Sequence, residues 1–208
     1  MMAIPLQRIS LPETSQQSPA SMYQDKRALG VTSATAALYE YITNSFSPSH
    51  LRVMEAGSGS GILCIMLQRA FPAWDITGLE IQASLHSISE ANAVSLSLPL
   101  SFLCADLRSF TDDNKYDLII SNPPWQKAGH GLVSPNPERA ICRTELCCTM
   151  PGLLAFCGRN LGSNKQAVLL YPSKRKEELL HEAAQAKLSL VNCLAVDNST
   201  TIFHLHKG

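Results

Sequence analysis

Asn122, Pro123, Pro124 and Trp125 follow directly on the apolar run 118–121, "LIIS". An amide oxygen and the next residue's carbonyl offer two hydrogen-bond acceptors side by side. The two prolines fix φ and contribute no N–H that would compete for a ligand. The indole adds a flat face on which a planar group can stack. This set suits chemistry at an exocyclic amine or an amide nitrogen, a poor nucleophile because its lone pair is delocalised. Two acceptors that take its two N–H groups favour rehybridisation, and they bind more strongly as positive charge grows on nitrogen. Asn122, Pro123, Pro124 and Trp125 are therefore the candidate catalytic residues.

A second group lies upstream. "EAGSGSG" (55–61) sits between an apolar run and a helical stretch, a position where glycines allow a tight turn and close approach of a ligand to the backbone. The spacing is G-x-G-x-G, with Ile62 where a dinucleotide-binding turn would carry its third glycine. Glu55 puts a carboxylate at the mouth of the turn, which disfavours a pyrophosphate and suits a cationic, zwitterionic ligand. Glu80 follows about twenty residues on, where a carboxylate can take both hydroxyls of a ribose. Asp106 ends the next apolar run and is expected along the same edge.

These residues must be positioned by alternating strands and helices. "TSATAALYEYITNSF" (32–46) reads as a short amphipathic helix, and from Leu51 onward apolar runs alternate with helical stretches. Strands are expected at "LRVMEA", "WDITGLE", "LSFLCAD", "YDLIIS" and "QAVLLYP". Helices are expected at "GILCIMLQRAF", from Gln82 to about Leu96, from about Pro137 to Asn160, and near Ser173 to Ala186. Pro151 is expected to divide the third of these in two, with Thr149 capping the second part. The last two runs, "LSLVNCLAV" and "TTIFHLHK", have no helix between them and should pair antiparallel through "DNST". The expected fold is an α/β, Rossmann-like three-layer sandwich: a mainly parallel seven-stranded sheet with an antiparallel C-terminal strand. Residues 1–22 read as an irregular or strand-like N-terminal arm, and 23–208 as a single domain.

Composition narrows the function classes. Lysine plus arginine (17) equals aspartate plus glutamate (17), so no global field draws the chain to a polyanion. A local patch has to serve instead, and Lys127, His130, Arg139 and Arg143, set among Gly and Pro, can form a mobile basic flap over a substrate. "KRKEELLHEAAQAK" alternates sign at helical spacing and reads as a solvated face. The seven cysteines lack a C-x-x-C pair and read as reduced, buried, small apolar residues of a cytosolic protein. No metal site is expected from Cys142, Cys147 and Cys148, or from His204 and His206. No run reaches the ~20 apolar residues that span a bilayer, and the N-terminus has no signal-peptide core, so a cytoplasmic protein without membrane contact is expected.

Taken in order, "EAGSGSG", "GLE", "CAD" and "SNPPW" resemble the class I S-adenosylmethionine-dependent methyltransferases, over roughly Gly30 to the C-terminus. Asn-Pro-Pro-aromatic is similar to the branch that methylates amino groups of bases or the amide of glutamine. "GLEIQASL" and "GHGLVSPNPERAICRTEL" are similar to the bacterial family that acts on N6 of an adenine in the tRNA(Val) anticodon loop. That family commonly has Ala-Arg-His-Glu where this chain has Cys142, Arg143, Thr144 and Glu145, and Gly-Thr-Asp where it has "GVTSAT". The resemblance implies S-adenosyl-L-methionine as cofactor and S-adenosyl-L-homocysteine as product. The expected cofactor-binding residues are Glu55, Gly57, Ser58, Gly59, Gly61, Glu80, Ile81, Asp106, Leu107 and Asn122. Trp125, Lys127, Arg139 and Arg143 are the expected substrate contacts. The expected reaction is methyl transfer to adenine N6 in structured RNA, by a monomer or weak homo-oligomer. The alternatives are a HemK-like protein glutamine methyltransferase, against which the short N-terminal arm counts, and a non-catalytic partner that binds cofactor or RNA.

Overall fold

The computed structural model describes residues 6–11, 20–26, 32–127 and 145–208. Within them, the uniformly apolar runs form strands covered on both faces, and successive side chains go to opposite clusters. Val53, Leu118, Ile120, Val168 and Leu170 pack on one side, and Met54, Ile119, Ala167, Leu169 and Tyr171 on the other. This two-residue period explains why "LIIS" shows no polar alternation.

The order along the chain is β1 (Leu6–Leu11), β2 (Ala20–Asp25), α1 (Ser33–Ser45), β3 (Arg52–Ala56), α2 (Ile62–Ala70), β4 (Asp75–Glu80) and α3 (Ala83–Ser95). It continues with β5 (Ser101–Cys104), β6 (Tyr116–Ser121), α4 (Met150–Asn160), β7 (Leu161–Pro172), a 3-10 turn (Ser173–Arg175), α5 (Lys176–Gln185), β8 (Leu188–Ala195) and β9 (Thr200–Lys207). The last seven strands form one sheet in the order β5-β4-β3-β6-β7-β9-β8. Strands β3 to β7 are parallel, and β9 runs antiparallel between β7 and β8. This is the expected three-layer, mainly parallel arrangement. Helices α1 and α2 cover one face through Leu38, Ile42, Leu63 and Leu67, and α4 and α5 cover the other through Leu153, Leu154, Phe156 and Leu179. Each such buried aliphatic side chain stabilises the packing by roughly 1.5–3 kcal/mol. The chain winds outward from β3 to β5, then returns to the other side of β3 as β6. The carboxyl ends of β3 and β6 thus flank the switch in strand order, where ligands of open α/β sheets bind.

Several boundaries differ from the sequence reading. Of the expected helix from Pro137, residues 137–144 lie outside the described residues, and 145–148 are turn and irregular chain rather than helix. Pro151 therefore begins α4 instead of dividing a longer helix. It occupies the first turn, where its missing N–H costs no hydrogen bond, while the Thr149 hydroxyl accepts from the Gly152 N–H. Strand β7 starts at Leu161, ahead of "QAVLLYP", immediately after α4. The cysteines are not uniformly buried: Cys64 and Cys157 are, Cys104 is exposed, and Cys147, Cys148 and Cys193 are intermediate. Cys104 ends β5, which is the edge strand of the sheet among the described residues. In "KRKEELLHEAAQAK" Leu179 and Ala183 turn to the core, and the charged residues are at least partly exposed except Arg175, which is 6% exposed.

Strands β1 and β2 pair antiparallel. The side-chain amide of Asn92 in α3 accepts from the Tyr23 N–H at 2.8 Å and donates to the Tyr23 carbonyl at 2.7 Å. It also donates to the Ser60 carbonyl at 3.1 Å, so one amide joins the hairpin to the glycine turn. No helix among the described residues is long and apolar enough to cross a membrane.

Candidate active site

The glycine turn leaves β3 at Ala56 and is pinned to the neighbouring strand end: the N–H groups of Gly57 and Ser58 both donate to the Leu79 carbonyl, at 2.8 and 3.0 Å. Gly57, Gly59 and Gly61 all have positive φ, which side chains rarely tolerate. At Gly57 and Gly59 a Cβ would meet nothing within 4 Å. At Gly61 it would lie 2.8 Å from Phe102 Cζ and 3.0 Å from Ser89 Cβ. On the other side of β3, the Ser121 hydroxyl at the end of β6 donates to the Ala56 carbonyl at 2.6 Å. The turn and the Asn-Pro-Pro segment are thereby fixed to each other.

A cavity opens along these strand ends. Its walls include Glu55, Gly57, Ser58, Gly59, Glu80, Ile81, Asp106, Leu107, Asn122, Pro123 and Pro124. The structure thus brings together every expected cofactor residue except Gly61, which packs against Phe102 and shapes the turn from behind. Trp125 is not in this wall either. Its indole N–H donates to the Leu170 carbonyl at 3.1 Å, and it bounds an adjoining cleft with Pro172, Lys174 and Asn198. The Lys127 ammonium is paired with Glu178 at 2.9 Å. Arg139 and Arg143, together with His130, lie outside the described residues.

Three carboxyl groups line the cavity, and no Lys, Arg or His does so among the described residues. Glu55 is 4% exposed. Its Oε2 accepts from the Cys64 N–H at 3.2 Å and the Cys64 thiol at 2.9 Å, yet burial dominates and pushes its pKa up to about 8. Glu80 takes the Gly59 N–H on Oε2 and the Gln82 N–H on Oε1, each at 2.9 Å. Burial raises its pKa, and these N–H bonds oppose the rise. Both oxygens of Asp106 accept from Arg108 Nε at 2.9 Å, and this guanidinium holds the carboxyl below its usual range.

Residues not foreseen from the sequence also line the walls, among them Thr35, Gln82, Leu85, Cys147 and Cys148. Burial pushes the Cys148 thiol up to about 12, which keeps it protonated. Thr35 is nearest to the chemistry. Its hydroxyl accepts from Asn122 Nδ2 at 3.4 Å and lies 3.3 Å from the Thr32 hydroxyl, which in turn caps α1 by accepting the Thr35 N–H. Committing the nitrogen end of the amide in this way turns its oxygen end away from Thr35. The sequence signal is the Thr-Ser-Ala-Thr start of the 32–46 stretch, which by itself reads only as the beginning of an amphipathic helix.

The family model described as the methyltransferase small domain matches residues 27–139, more than half of the chain. The chain belongs to that family. A curated relative within reach of this small-domain methyltransferase is the tRNA1(Val) (adenine(37)-N6)-methyltransferase of Aeromonas hydrophila, 31% identical over 148 residues, or 70% of this chain and 61% of that protein. The release factor glutamine methyltransferase of Streptococcus pneumoniae is 31% identical over 128 residues, 58% of this chain and 45% of that protein. The chain therefore spans less than two thirds of the length of either relative. Among solved structures, a T. thermophilus 16S rRNA N2 methyltransferase in complex with AdoMet and guanosine superposes with a TM-score of 0.71 at 14% identity, covering 98% of this chain and 51% of that one. That likeness is one of fold.

Proposed function

We propose that this small-domain methyltransferase uses S-adenosylmethionine to methylate an exocyclic amino nitrogen, with adenine N6 in structured RNA as the acceptor. The observation that carries the reading is a shared wall: Asn122, Pro123 and Pro124 line the same cavity as Gly57, Gly59 and Glu80.

The cofactor fits this cavity on three counts. Gly57 and Gly59 leave open the space that a Cβ would fill, so a ligand can lie against the turn. Glu80 spends one lone pair of each oxygen on an N–H and keeps others for two ribose hydroxyls. Among the described residues the charged lining is wholly acidic, which suits a sulfonium and an ammonium group and opposes a pyrophosphate. Glu55 would face that cationic end, and Ile81 and Leu107 would supply apolar contact to the adenine. Asp106 would have to share its carboxylate between Arg108 and the ligand. When bound, S-adenosylmethionine supplies a methyl group activated by the adjoining sulfonium.

The chain's own residues do the rest. Asn122 Oδ1 and the Pro123 carbonyl accept the two N–H groups of the acceptor amine and hold its lone pair toward the methyl group. Both bonds tighten as nitrogen becomes positive, and loss of one such group costs about 10²–10³ in rate. No general base is required before transfer, because the proton leaves the cationic product readily. The Trp125 indole, keyed to Leu170, offers its face to the base in the adjoining cleft, with Arg139 and Arg143 as RNA contacts. The similarity to a release factor glutamine methyltransferase supports a second reading in which the same acceptors hold a glutamine amide.

Asn122→Ala tests the assignment. Methyl transfer is expected to fall at least 100-fold while S-adenosylhomocysteine affinity, measured by calorimetry, stays within about threefold. A variant that still transfers, or one that loses the cofactor, would show that Asn122 does not hold the acceptor.

A further inference from the structure

One buried guanidinium joins the Asn-Pro-Pro-Trp loop to both ends of the 127–145 stretch. Arg175 closes the 3-10 turn after β7 and is 6% exposed; Glu145, 7% exposed, lies against it. Arg175 Nη1 donates to the Glu145 carboxylate and, at 3.3 Å, to the Trp125 carbonyl. Nη2 reaches Glu145 Oε2 at 3.4 Å and Glu178 Oε1 at 2.8 Å, while Nε donates to Glu178 Oε2 at 3.1 Å. The guanidinium also lies over the Tyr171 ring, 5.5 Å from its centroid. Glu178 in turn holds Lys127 at 2.9 Å, and the Glu145 N–H donates to the Gln126 carbonyl at 2.8 Å. Two cations and two carboxylates balance, so the cluster carries no net charge to offer a phosphate.

We propose that Arg175 is a positioning residue for the acceptor site, which with Glu145, Glu178 and Lys127 clasps the loop bearing Asn122 and Pro123. The inference rests on the methyl-transfer reading. The physical case has two parts. The Arg175–Glu145 pair at its centre is buried, and a buried ion pair seldom stabilises a fold more than apolar packing of the same volume would, so stability alone gives that pair little reason to be here. The Arg175 guanidinium touches the loop's main chain at the Trp125 carbonyl, two residues from the Pro123 carbonyl that is to accept the acceptor's N–H. A displacement of about 1 Å at such a group can cost up to 100-fold in rate. A planar fork with five donors meets these three partners together, which a lysine ammonium cannot do.

The test compares Arg175→Lys, Arg175→Ala and Glu178→Gln with wild type in methyl transfer, S-adenosylhomocysteine calorimetry and thermal unfolding. Arg175→Lys is expected to lower kcat for the acceptor about 30-fold and to leave cofactor affinity within about twofold. Added guanidinium, but not methylammonium, is expected to restore much of the Arg175→Ala rate. Glu178→Gln, at a more exposed position, keeps the fold and is expected to lower kcat about threefold; it decides the matter if the Arg175 variants do not fold. Unchanged kcat in folded Arg175→Lys, or in Glu178→Gln when the Arg175 variants do not fold, would overturn the positioning role alone. Wild-type protein that transfers methyl to no acceptor would overturn the methyl-transfer reading, and the positioning role with it.

Discussion

Burial of Glu55 gives cofactor binding a pH dependence that can be worked out in advance. Its pKa is pushed from 4.5 up to about 8, chiefly by loss of solvation, with nearby Glu80 adding to the rise and the two bonds from Cys64 opposing it. At pH 7 roughly ten of every eleven molecules with an empty cavity would hold the carboxyl protonated. The ammonium of S-adenosylhomocysteine favours the carboxylate, so binding should expel about 0.9 proton at pH 7. Affinity should then rise nearly tenfold per unit from about pH 5 to 7 and level off above about 8. The sign for stability is opposite. The folded, empty protein keeps a proton that the unfolded chain releases, so stability falls between pH 4.5 and about 8 and this group costs nothing further above that. The shift corresponds to roughly 5 kcal/mol as an upper limit. Glu55→Gln removes it, so the variant's Tm should gain on wild type as pH rises from about 5 to 8. Calorimetry in buffers of different ionisation heat, on wild type and Glu55→Gln, measures the proton count. Flat affinity across this range with no proton released would refute the pairing of Glu55 with the cationic end of the ligand.

Thr35→Val removes the hydroxyl that accepts from Asn122 at nearly constant shape; kcat should fall about tenfold with cofactor affinity unchanged, and Thr35→Ser should retain most activity. Gly78→Ala would put a Cβ 2.5 Å from Phe102 Cδ1 and 2.8 Å from Ser58 Oγ. A loss of about 1–3 kcal/mol is expected, and an unchanged Tm in thermal unfolding would contradict it. Trp125→Phe keeps an aromatic face but loses the bond to Leu170, so it should cost about 1 kcal/mol of stability. Trp125→Ala should also raise the KM for the acceptor tenfold or more, in line with about 1–3 kcal/mol per stacked base. Steady-state kinetics on the two variants separates these effects.

The strand-end residues were legible because a strand fully buried on both faces announces itself as an aliphatic run, and the polar residue that ends it must lie at the sheet's edge. Glu55 and Glu80 close β3 and β4, Asn122 follows β6, and Asp106 lies just past the edge strand β5, so their convergence followed from a parallel sheet. Thr35 was not legible. It meets Asn122 from 87 positions away in sequence, and a Thr at a helix start has an adequate local explanation as a cap. Gly61 was assigned to the ligand side because all three glycines share one turn, and only the position of Phe102 on β5 shows that it faces the other way. Arg175 was hidden by its surroundings. Charged neighbours on a helical repeat read as solvent-facing, and nothing local signals that one of them turns inward toward Glu145. Lys127 likewise reads as a free cation until Glu178 is found beside it.

The claim at the centre is that Asn122 and Pro123 present an acceptor amine to S-adenosylmethionine. It is tested most directly by incubating wild type and Asn122→Ala with isotopically labelled cofactor and separate tRNA, rRNA and release-factor fractions, followed by mass spectrometry of the digested products. Label in N6-methyladenosine from RNA with wild type, and none with Asn122→Ala, is the expected result. Label on glutamine would move the acceptor to protein, and label on carbon or oxygen, or equal labelling by the variant, would contradict the claim.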